Sequence, residues 1–151
     1  MTRINVVDPM LLADQHLMAE YRELPMVHKS LNRSLNSKKG INFNKNIDYF
    51  KLDSGHVYSF YFRGKWLFKR YRLLINELKR RNYNILSENR DINWSIFKEN
   101  PLFWKDWMPT EADENISKER IKLRLLDKVD WYKYQSKPLL DNKLLKYYYE
   151  L

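Results

Sequence analysis

A helical periodicity that starts directly after Asp8-Pro9 and runs to about residue 36 limits how this chain can fold. Asp8 is a residue type that caps helices, and Pro9 suits the first helical position, where its missing N–H costs nothing. Residues spaced by three or four share one face of the segment: Leu12, His16, Ala19 and Glu23. Pro25 should bend or end the helix because its ring clashes with the carbonyl of Tyr21. The sequence therefore predicts a helix over about 9–36 with Glu23 beside a disturbed turn.

Two further segments, at about 65–81 and 110–128, have helical periodicity. The apolar stripe of the first consists of Trp66, Leu67, Leu74, Ile75 and Leu78. In the second, Thr110 is the expected N-cap. Its residues expected to face the core are Ile116, Leu123 and Leu126. We therefore predict an all-α fold, a compact single domain of about three main helices with long irregular connections and little or no sheet.

The connections between these helices contain many aromatic residues. We expect extended or irregular chain over 41–62, where a lone His56 is more typical of a buried hydrogen bond than of catalysis. The segment 82–109 should be a long connection pinned to the body by its aromatic side chains. Residues 138–151 predict a short extra helix that carries Leu139, Leu140, Leu144 and Leu145.

Charge and composition restrict the class of partner. The chain of 151 residues has 28 Lys and Arg against 19 Asp and Glu, a formal net charge of +9. A polyanionic partner is the natural inference, although basic chains also arise for solubility. There is no cysteine, and the three histidines lack the spacing of metal ligands. No apolar run approaches the roughly 20 residues that span a bilayer. We expect one domain over 1–151, soluble and intracellular, with no metal or cofactor.

The second residue, Thr2, is small enough for the initiator methionine to be removed. Its α-amine would then titrate at about 7.7–8.0, well below a lysine amine, so that a useful fraction is unprotonated at neutral pH. Arg3 next to it and Arg22 in the first helix would lower that pKa further. Such an amine can form a Schiff base without a cofactor. The alternative is that Thr2 is merely a permitted second residue.

Two further patterns are typical of nucleic-acid binding. Arg120, Arg124 and Lys128 recur every four residues and line cations along one side of the third helix, which suits a phosphate backbone. The helix is followed by Trp131-Tyr132-Lys133-Tyr134, in which aromatic rings can lie against sugars and bases while the ammonium group holds phosphate. The alternative is a hydrophobic tail that pins the chain to the core, and Trp131 fits that role better than the two tyrosines.

The stretches Met1–Asn5 and Leu12–Pro25 resemble the N-terminal region of the pyrimidine-dimer DNA glycosylases, the endonuclease V of T-even phages and its viral and bacterial relatives. Two further blocks fall in the same order. They are Gly55-His56-Val57 with Phe60-Tyr61 and Lys69-Arg70, and then Trp131-Tyr132-Lys133-Tyr134. The resemblance covers most of the first 134 residues, weakly over about 26–52 and 86–107.

The resemblance implies an all-α fold whose N-terminal segment is threaded between the helices. It also implies excision of UV-induced cyclobutane dimers from double-stranded DNA through a Schiff base on the Thr2 amine, followed by β-elimination at the abasic site. Catalysis would fall to Thr2, Glu23 and Arg22. DNA contacts would fall to Arg3, Gln15, His16, Arg120, Arg124, Tyr132, Lys133 and Tyr134. The family recognises the distortion of the duplex rather than its base sequence, and it moves the base opposite the lesion into a protein pocket.

Met26 stands where some relatives have an arginine, so one phosphate contact of the family is in doubt here. Two alternatives to the predicted function stay open. The chain could be a DNA-binding homologue without catalysis, against which the presence of both Thr2 and Glu23 argues. It could also apply the same mechanism to another modified or oxidised base. We expect a monomer that acts on dimer-containing or abasic DNA and has no membrane partner.

Overall fold

The computed structural model describes residues 3–42, 49–52, 54–85, 92–139 and 144–149. Its helices are α1 (Asp14–Glu23), α2 (Pro25–Leu35), α3 (His56–Ser59), α4 (Gly64–Arg80), α5 (Ser95–Lys98), α6 (Glu111–Asp127) and α7 (Leu144–Tyr149). Short 3-10 helices, Pro9–Leu11 and Phe60–Phe62, precede α1 and α4. A hairpin pairs β1 (Lys133–Tyr134) with β2 (Lys137–Pro138). The predicted all-α fold is confirmed. Within these residues, no helix is long and apolar enough to cross a membrane.

The predicted helix over 9–36 is three separate elements. Asp8 caps the first as expected, since its carboxylate accepts the Met10 N–H at 2.9 Å. The helix does not continue, because Leu12 adopts an extended conformation that buries it completely. The chain restarts as α1 after Ala13. The break expected at Pro25 is confirmed, since α1 ends at Glu23 and Pro25 is the first residue of α2.

The core lies between α1 and α4. The rings of Tyr21 and Tyr71 stack with centroids 5.6 Å apart. The predicted apolar stripe of α4 is buried, except that Trp66 is only partly covered. The residues that precede these two tyrosines form an ion pair, in which Arg70 donates to both oxygens of Glu20, from Nε at 2.6 Å and from a terminal nitrogen at 3.0 Å. Both side chains of this ion pair are almost fully buried, so it joins the two helices inside the core.

The helix α6 shows the predicted N-cap but not the predicted buried face. Thr110 and Asp113 form a reciprocal capping box. Three residues predicted to face the core are instead exposed, at 40%, 66% and 57%: Ile116, Leu123 and Leu126. The buried face carries Asp113, Ser117, Ile121 and Leu125. Asp113 and Ser117 are polar but bind backbone N–H groups of Phe50 and Val6. The apolar pattern alone therefore misplaced this face.

The N-terminal segment runs through the body as predicted. The N–H of Ile4 donates to His56 Nε2 at 2.9 Å, and the N–H of Asn5 donates to Glu20 at 3.1 Å. The N–H of Val6 donates to Ser117 Oγ at 3.3 Å. Three successive backbone amides are thus held by side chains from α3, α1 and α6. This arrangement fixes the direction of the chain through residues 4–6.

His56 has the structural role predicted for it. Its Nδ1 lies 2.7 Å from the carbonyl of Lys51, which can only accept, so Nδ1 carries the proton and Nε2 is free to accept from Ile4. The expectation of irregular chain over 41–62 is partly wrong, because α3 and a 3-10 helix follow Gly55. Gly55 adopts a φ of 92°, which glycine tolerates best and which turns the chain into α3.

The connection after α4 is pinned by aromatic side chains as expected. Phe97 and Phe103 are buried, and the N–H of Gly64 donates to the Phe103 carbonyl at 2.7 Å. At the other end of the chain, α7 packs on α6, and Tyr148 donates its hydroxyl to the Leu11 carbonyl at 2.5 Å. The predicted C-terminal helix is therefore present. Leu139 and Leu144 are buried, whereas Leu140 lies outside the described residues.

Replacing Gly64 by Ala tests how tightly α4 meets this connection. A Cβ at Gly64 would lie 2.7 Å from the Phe97 side chain and 2.8 Å from the Phe103 carbonyl, closer than real contacts allow. We expect Gly64→Ala to lower the free energy of unfolding by about 1–3 kcal/mol, as overpacking does. Urea unfolding measures this change. Lys65→Ala, at an exposed position, is the control, and equal stability of both variants would contradict the packing described here.

The pH dependence of stability tests the role of His56. Burial lowers the pKa of His56 to about 4, whereas the unfolded chain takes up the proton near 6.5. The stabilisation is therefore complete above pH 6.5 and is lost as the pH falls towards 4, by at most about 3 kcal/mol. His56→Gln should be less stable at pH 7.5 and lose less on acidification. Parallel curves for the two proteins would rule out this linkage.

Candidate active site

A cavity of about 90 Å³ lies where the N-terminal segment passes between α1 and α6. We call it the α1–α6 pocket. Its lining residues are Arg3, Asn5, His16, Ala19, Glu20, Glu23, Arg120, Ile121 and Arg124. The pocket thus brings together five residues predicted from the sequence as site residues, namely Arg3, His16, Glu23, Arg120 and Arg124. Thr2, the predicted nucleophile, lies outside the described residues.

Glu23 supplies a carboxylate at the edge of the pocket. It is the last residue of α1, half-buried just before the break at Pro25. Burial raises the pKa of its carboxyl group, while the charges of Arg3 and Arg120 and a hydrogen bond from the Arg3 backbone amide act in the opposite direction. A partly desolvated carboxylate of this kind is a stronger base than one in water.

Cations form the opposite wall. Arg120 is half-buried on α6 and donates to Asn5 Oδ1. Burial, and then the neighbouring charge of Arg3, lower the pKa of Arg120 to about 10. Arg124 lies one turn further along the same helix. Like charges held this close favour an anion between them, so the wall can bind a phosphate.

His16 is held in its neutral form. Burial lowers the pKa of His16 to about 4, with further contributions from Arg120, Arg124 and then Arg3. Its ring packs on Tyr132 with centroids 4.6 Å apart. Within the described part of the chain, its buried Nδ1 has no hydrogen-bond partner. At neutral pH it can therefore offer a donor or an acceptor to a ligand, but no charge.

A second, larger cavity of about 640 Å³ adjoins the first along α1. We call it the tail cavity, because the segment Trp131–Ser136, here called the aromatic tail, forms one of its sides. Its lining residues are Asp14, Gln15, Met18, Ala19, Arg22, Tyr83, Trp131, Lys133 and Ser136. Ala19 lines both cavities, so they meet at α1. Arg22, predicted as catalytic, lies exposed in this second cavity rather than in the α1–α6 pocket.

The tail is anchored to α1 by two polar side chains. Gln15 donates to the Trp131 carbonyl at 2.8 Å and accepts the Lys133 N–H at 3.0 Å. Asp14 accepts the N–H groups of Gln135 and Ser136 at 3.0 and 2.8 Å. Gln15 is predicted as a DNA contact, and in the structure both ends of its amide group bind the tail. It therefore fixes where Trp131 and Lys133 stand.

The expected order of the aromatic residues is reversed. Tyr132, predicted to contact DNA, is only 7% exposed and lies against His16. Tyr134 donates its hydroxyl to the Met10 carbonyl at 2.8 Å, and the Arg81 guanidinium lies 4.0 Å from its ring centre. Trp131, which was the better candidate for the core, is 57% exposed. The two tyrosines pin the tail, and the tryptophan faces solvent beside the tail cavity.

Asn5 and Glu20 are pocket residues that sequence reasoning missed. Glu20 is 1% exposed, and its carboxylate binds Asn5 and Arg70. The spacing of three between Glu20 and Glu23 places them on one side of α1, which was the available signal. Glu20 is paired in the core and Glu23 faces the pocket. This difference depends on Arg70, which binds Glu20 and is 50 residues away from it in sequence. Among the described residues, no group of three or more carboxylate or imidazole side chains could hold a metal ion.

Comparison with known families places this chain in one of them. A family model described as pyrimidine dimer DNA glycosylase matches residues 1–91. That span contains the N-terminal segment, α1 and the core helix α4, together with Glu23 and His16 of the pocket. The arginines of α6 and the aromatic tail lie beyond it. Since the match covers more than half of the 151 residues, the chain belongs to the pyrimidine dimer DNA glycosylases.

Proposed function

We propose that this glycosylase removes cyclobutane pyrimidine dimers through a Schiff base on the Thr2 amine and then cuts the strand by β-elimination. The observation that carries the proposal is that Arg3 and the Glu23 carboxylate line the same small pocket. In a chain that begins at Thr2, the α-amine precedes Arg3 by one residue, roughly 3.8 Å of backbone. A nucleophile and a carboxylate would then share one small pocket.

The charges of the pocket support an active amine. An α-amine titrates at about 7.7–8.0 in water. Arg3 is adjacent in sequence, and Arg120 and Arg124 line the same pocket, so their positive charge would lower the pKa of an amine there. More of the amine would be unprotonated at neutral pH, as a nucleophile requires. The same cations would hold phosphates beside the reacting sugar.

The proposed chemistry needs no oxidant or cofactor. The lone pair of the amine attacks C1′ of the 5′ nucleotide of the dimer, and the base leaves with the electrons of the glycosidic bond. The amine nitrogen loses its two protons in these steps, one to the departing base and one to the ring oxygen. The ring oxygen then leaves C1′ and is protonated, which gives a Schiff base. Glu23 takes a proton from C2′, and the electrons of that bond expel the 3′ phosphate. Hydrolysis of the imine frees the enzyme. Glu23 also stabilises the cationic intermediate.

The tail cavity fits the role of the pocket that receives a displaced base. At about 640 Å³ it is much larger than the α1–α6 pocket of about 90 Å³, and the two adjoin at Ala19. Exposed Trp131 offers a ring for stacking, and Arg22 and Lys133 offer charge for the flanking phosphates. Extrusion costs least where pairing is already damaged, so this cavity would favour distorted duplexes.

We further infer that the enzyme acts as a monomer and accepts preformed abasic sites. Two alternatives remain testable. A homologue without catalysis would bind damaged duplex but never cut it. An enzyme for other lesions would cut duplexes with oxidised bases or ring-opened purines faster than duplexes with dimers. A nicking assay on defined-lesion duplexes, with and without borohydride, separates the three.

Borohydride trapping tests the nucleophile. Reduction converts a Schiff base into a stable amine, so the enzyme should become linked to dimer-containing or abasic DNA. We expect mass spectrometry of the trapped peptide to place the link at the α-amine of Thr2. A variant with one glycine added before Thr2 is the control and should trap poorly, because its amine is displaced. A link to an internal lysine would refute the proposed nucleophile.

Glu23→Gln tests the carboxylate. The amide keeps the shape and most hydrogen bonds but cannot take the C2′ proton, so single-turnover cleavage should fall by at least about 100-fold. Affinity for dimer-containing duplex should change by less than about fivefold, because Arg120 and Arg124 are unchanged. Glu99→Gln, at an exposed position, controls for general effects of lost charge. Near-parental cleavage by Glu23→Gln would remove Glu23 from the mechanism.

A further inference from the structure

A continuous chain of polar contacts leads from the core into the α1–α6 pocket. It begins at Arg70, which donates to Glu20 and to the Val7 carbonyl, the latter at 2.7 Å. Glu20 Oε1 accepts the Asn5 side-chain amide at 2.8 Å. Asn5 Oδ1 accepts from Arg120, which lines the pocket. The first three side chains in this chain are each 5% exposed or less.

The orientation of the Asn5 amide is fixed by its two neighbours. Glu20 is a carboxylate and can only accept, whereas the guanidinium of Arg120 can only donate. With Nδ2 on Glu20 and Oδ1 on Arg120, both contacts are favourable, and a flipped amide would make both repulsive. The backbone N–H of Asn5 adds a second bond to Glu20 at 3.1 Å. The amide therefore has one favourable orientation.

Arg120 needs such a support. Burial withdraws it partly from water, and the charges of Arg3 and Arg124 repel it, whereas those of Glu20 and Glu23 attract it. Among the described residues, its guanidinium has one hydrogen-bond acceptor, Asn5 Oδ1. Without that acceptor, both repulsion and solvation would favour rotation of the side chain out of the pocket.

We propose that Asn5 is a positioning residue, whose amide oxygen holds Arg120 at the pocket without neutralising its charge. A carboxylate in the same place would hold the guanidinium more tightly but would cancel the charge that a DNA phosphate is to meet. An amide oxygen carries no net charge, so the whole positive charge stays available. The charge of Glu20 is already balanced by Arg70. This inference rests on the proposed function in one respect, that Arg120 binds DNA phosphate.

Asn5→Ala tests the proposal in two measurements. The first is the dependence of damaged-duplex affinity on salt, in which the slope should fall by about one unit, as expected for one lost phosphate contact. Arg120→Ala should lower the slope equally, and the double variant should lower it no further. The second is an NMR titration of His16 without DNA. Its pKa should rise above the parental value of about 4, because Arg120 is the largest charge that depresses it.

Ser117→Ala is the matched control. Ser117 accepts the N–H of Val6, the next residue of the same segment, and lies on the same helix as Arg120, whereas the guanidinium donates to Asn5. The Ser117→Ala variant should lose the hydrogen bond to Val6 and leave both the salt slope and the His16 pKa unchanged. Asn5→Ser keeps a donor beside Glu20 without the amide oxygen and should repeat the effects of Asn5→Ala if that variant folds poorly.

The outcomes separate this inference from the proposed function. A parent that neither binds nor cuts damaged DNA would refute the function, whereas the His16 titration would still report on Asn5. A parental slope and a parental His16 pKa in Asn5→Ala would overturn the positioning role. Equal changes in Ser117→Ala would also overturn it, as would loss of the fold in both Asn5 variants, since Asn5 would then be a core residue only.

Discussion

The buried ion pair between Glu20 and Arg70 is the contact on which the pocket depends. It ties α1 to α4, and through Val7 and Asn5 it also binds the N-terminal segment. A buried pair gives little net stability, because desolvation offsets the attraction, whereas removal of one partner costs about 3–5 kcal/mol. Its value here is directional. Glu20 accepts hydrogen bonds from four donors, two of them on Asn5, and these bonds fix the path of the N-terminal segment.

How much of this the sequence could predict depends on whether the signal was local. Local rules gave the break at Pro25, the cap at Thr110 and the shared face of His16, Ala19 and Glu23, because steric clashes, capping and helical spacing involve residues a few positions apart. Contacts far apart in sequence were not predictable. The N-terminal 3-10 helix stops early because Leu12 is drawn into the core, which no neighbouring residue signals.

Two site features were misread for one physical reason: polarity was taken as a sign of exposure. On α6 the buried face includes Asp113 and Ser117, which bind backbone amides of distant segments, and the apolar Leu123 is left outside. In the tail, Tyr132 is buried and Trp131 exposed. A buried polar group is tolerated where it finds a partner, and partners come from the tertiary fold. The sequence therefore indicates which residues belong to such a site, but not which of their side chains are buried and which face solvent.

The pocket combines charges that would not stay together in water. Burial raises the pKa of Glu23 and lowers the pKa values of His16 and Arg120, and neighbouring positive charge lowers the pKa of Arg120 further. Each shift means that the fold holds the group against its preference for solvent. The support for this arrangement lies behind the pocket, in ion pairs and hydrogen bonds between α1, α4 and the N-terminal segment. Charge that is held in place before a reaction begins is what stabilises charge that develops during it. The buried network and the charged pocket are therefore two parts of one structure, because the network holds in place side chains whose charges repel each other.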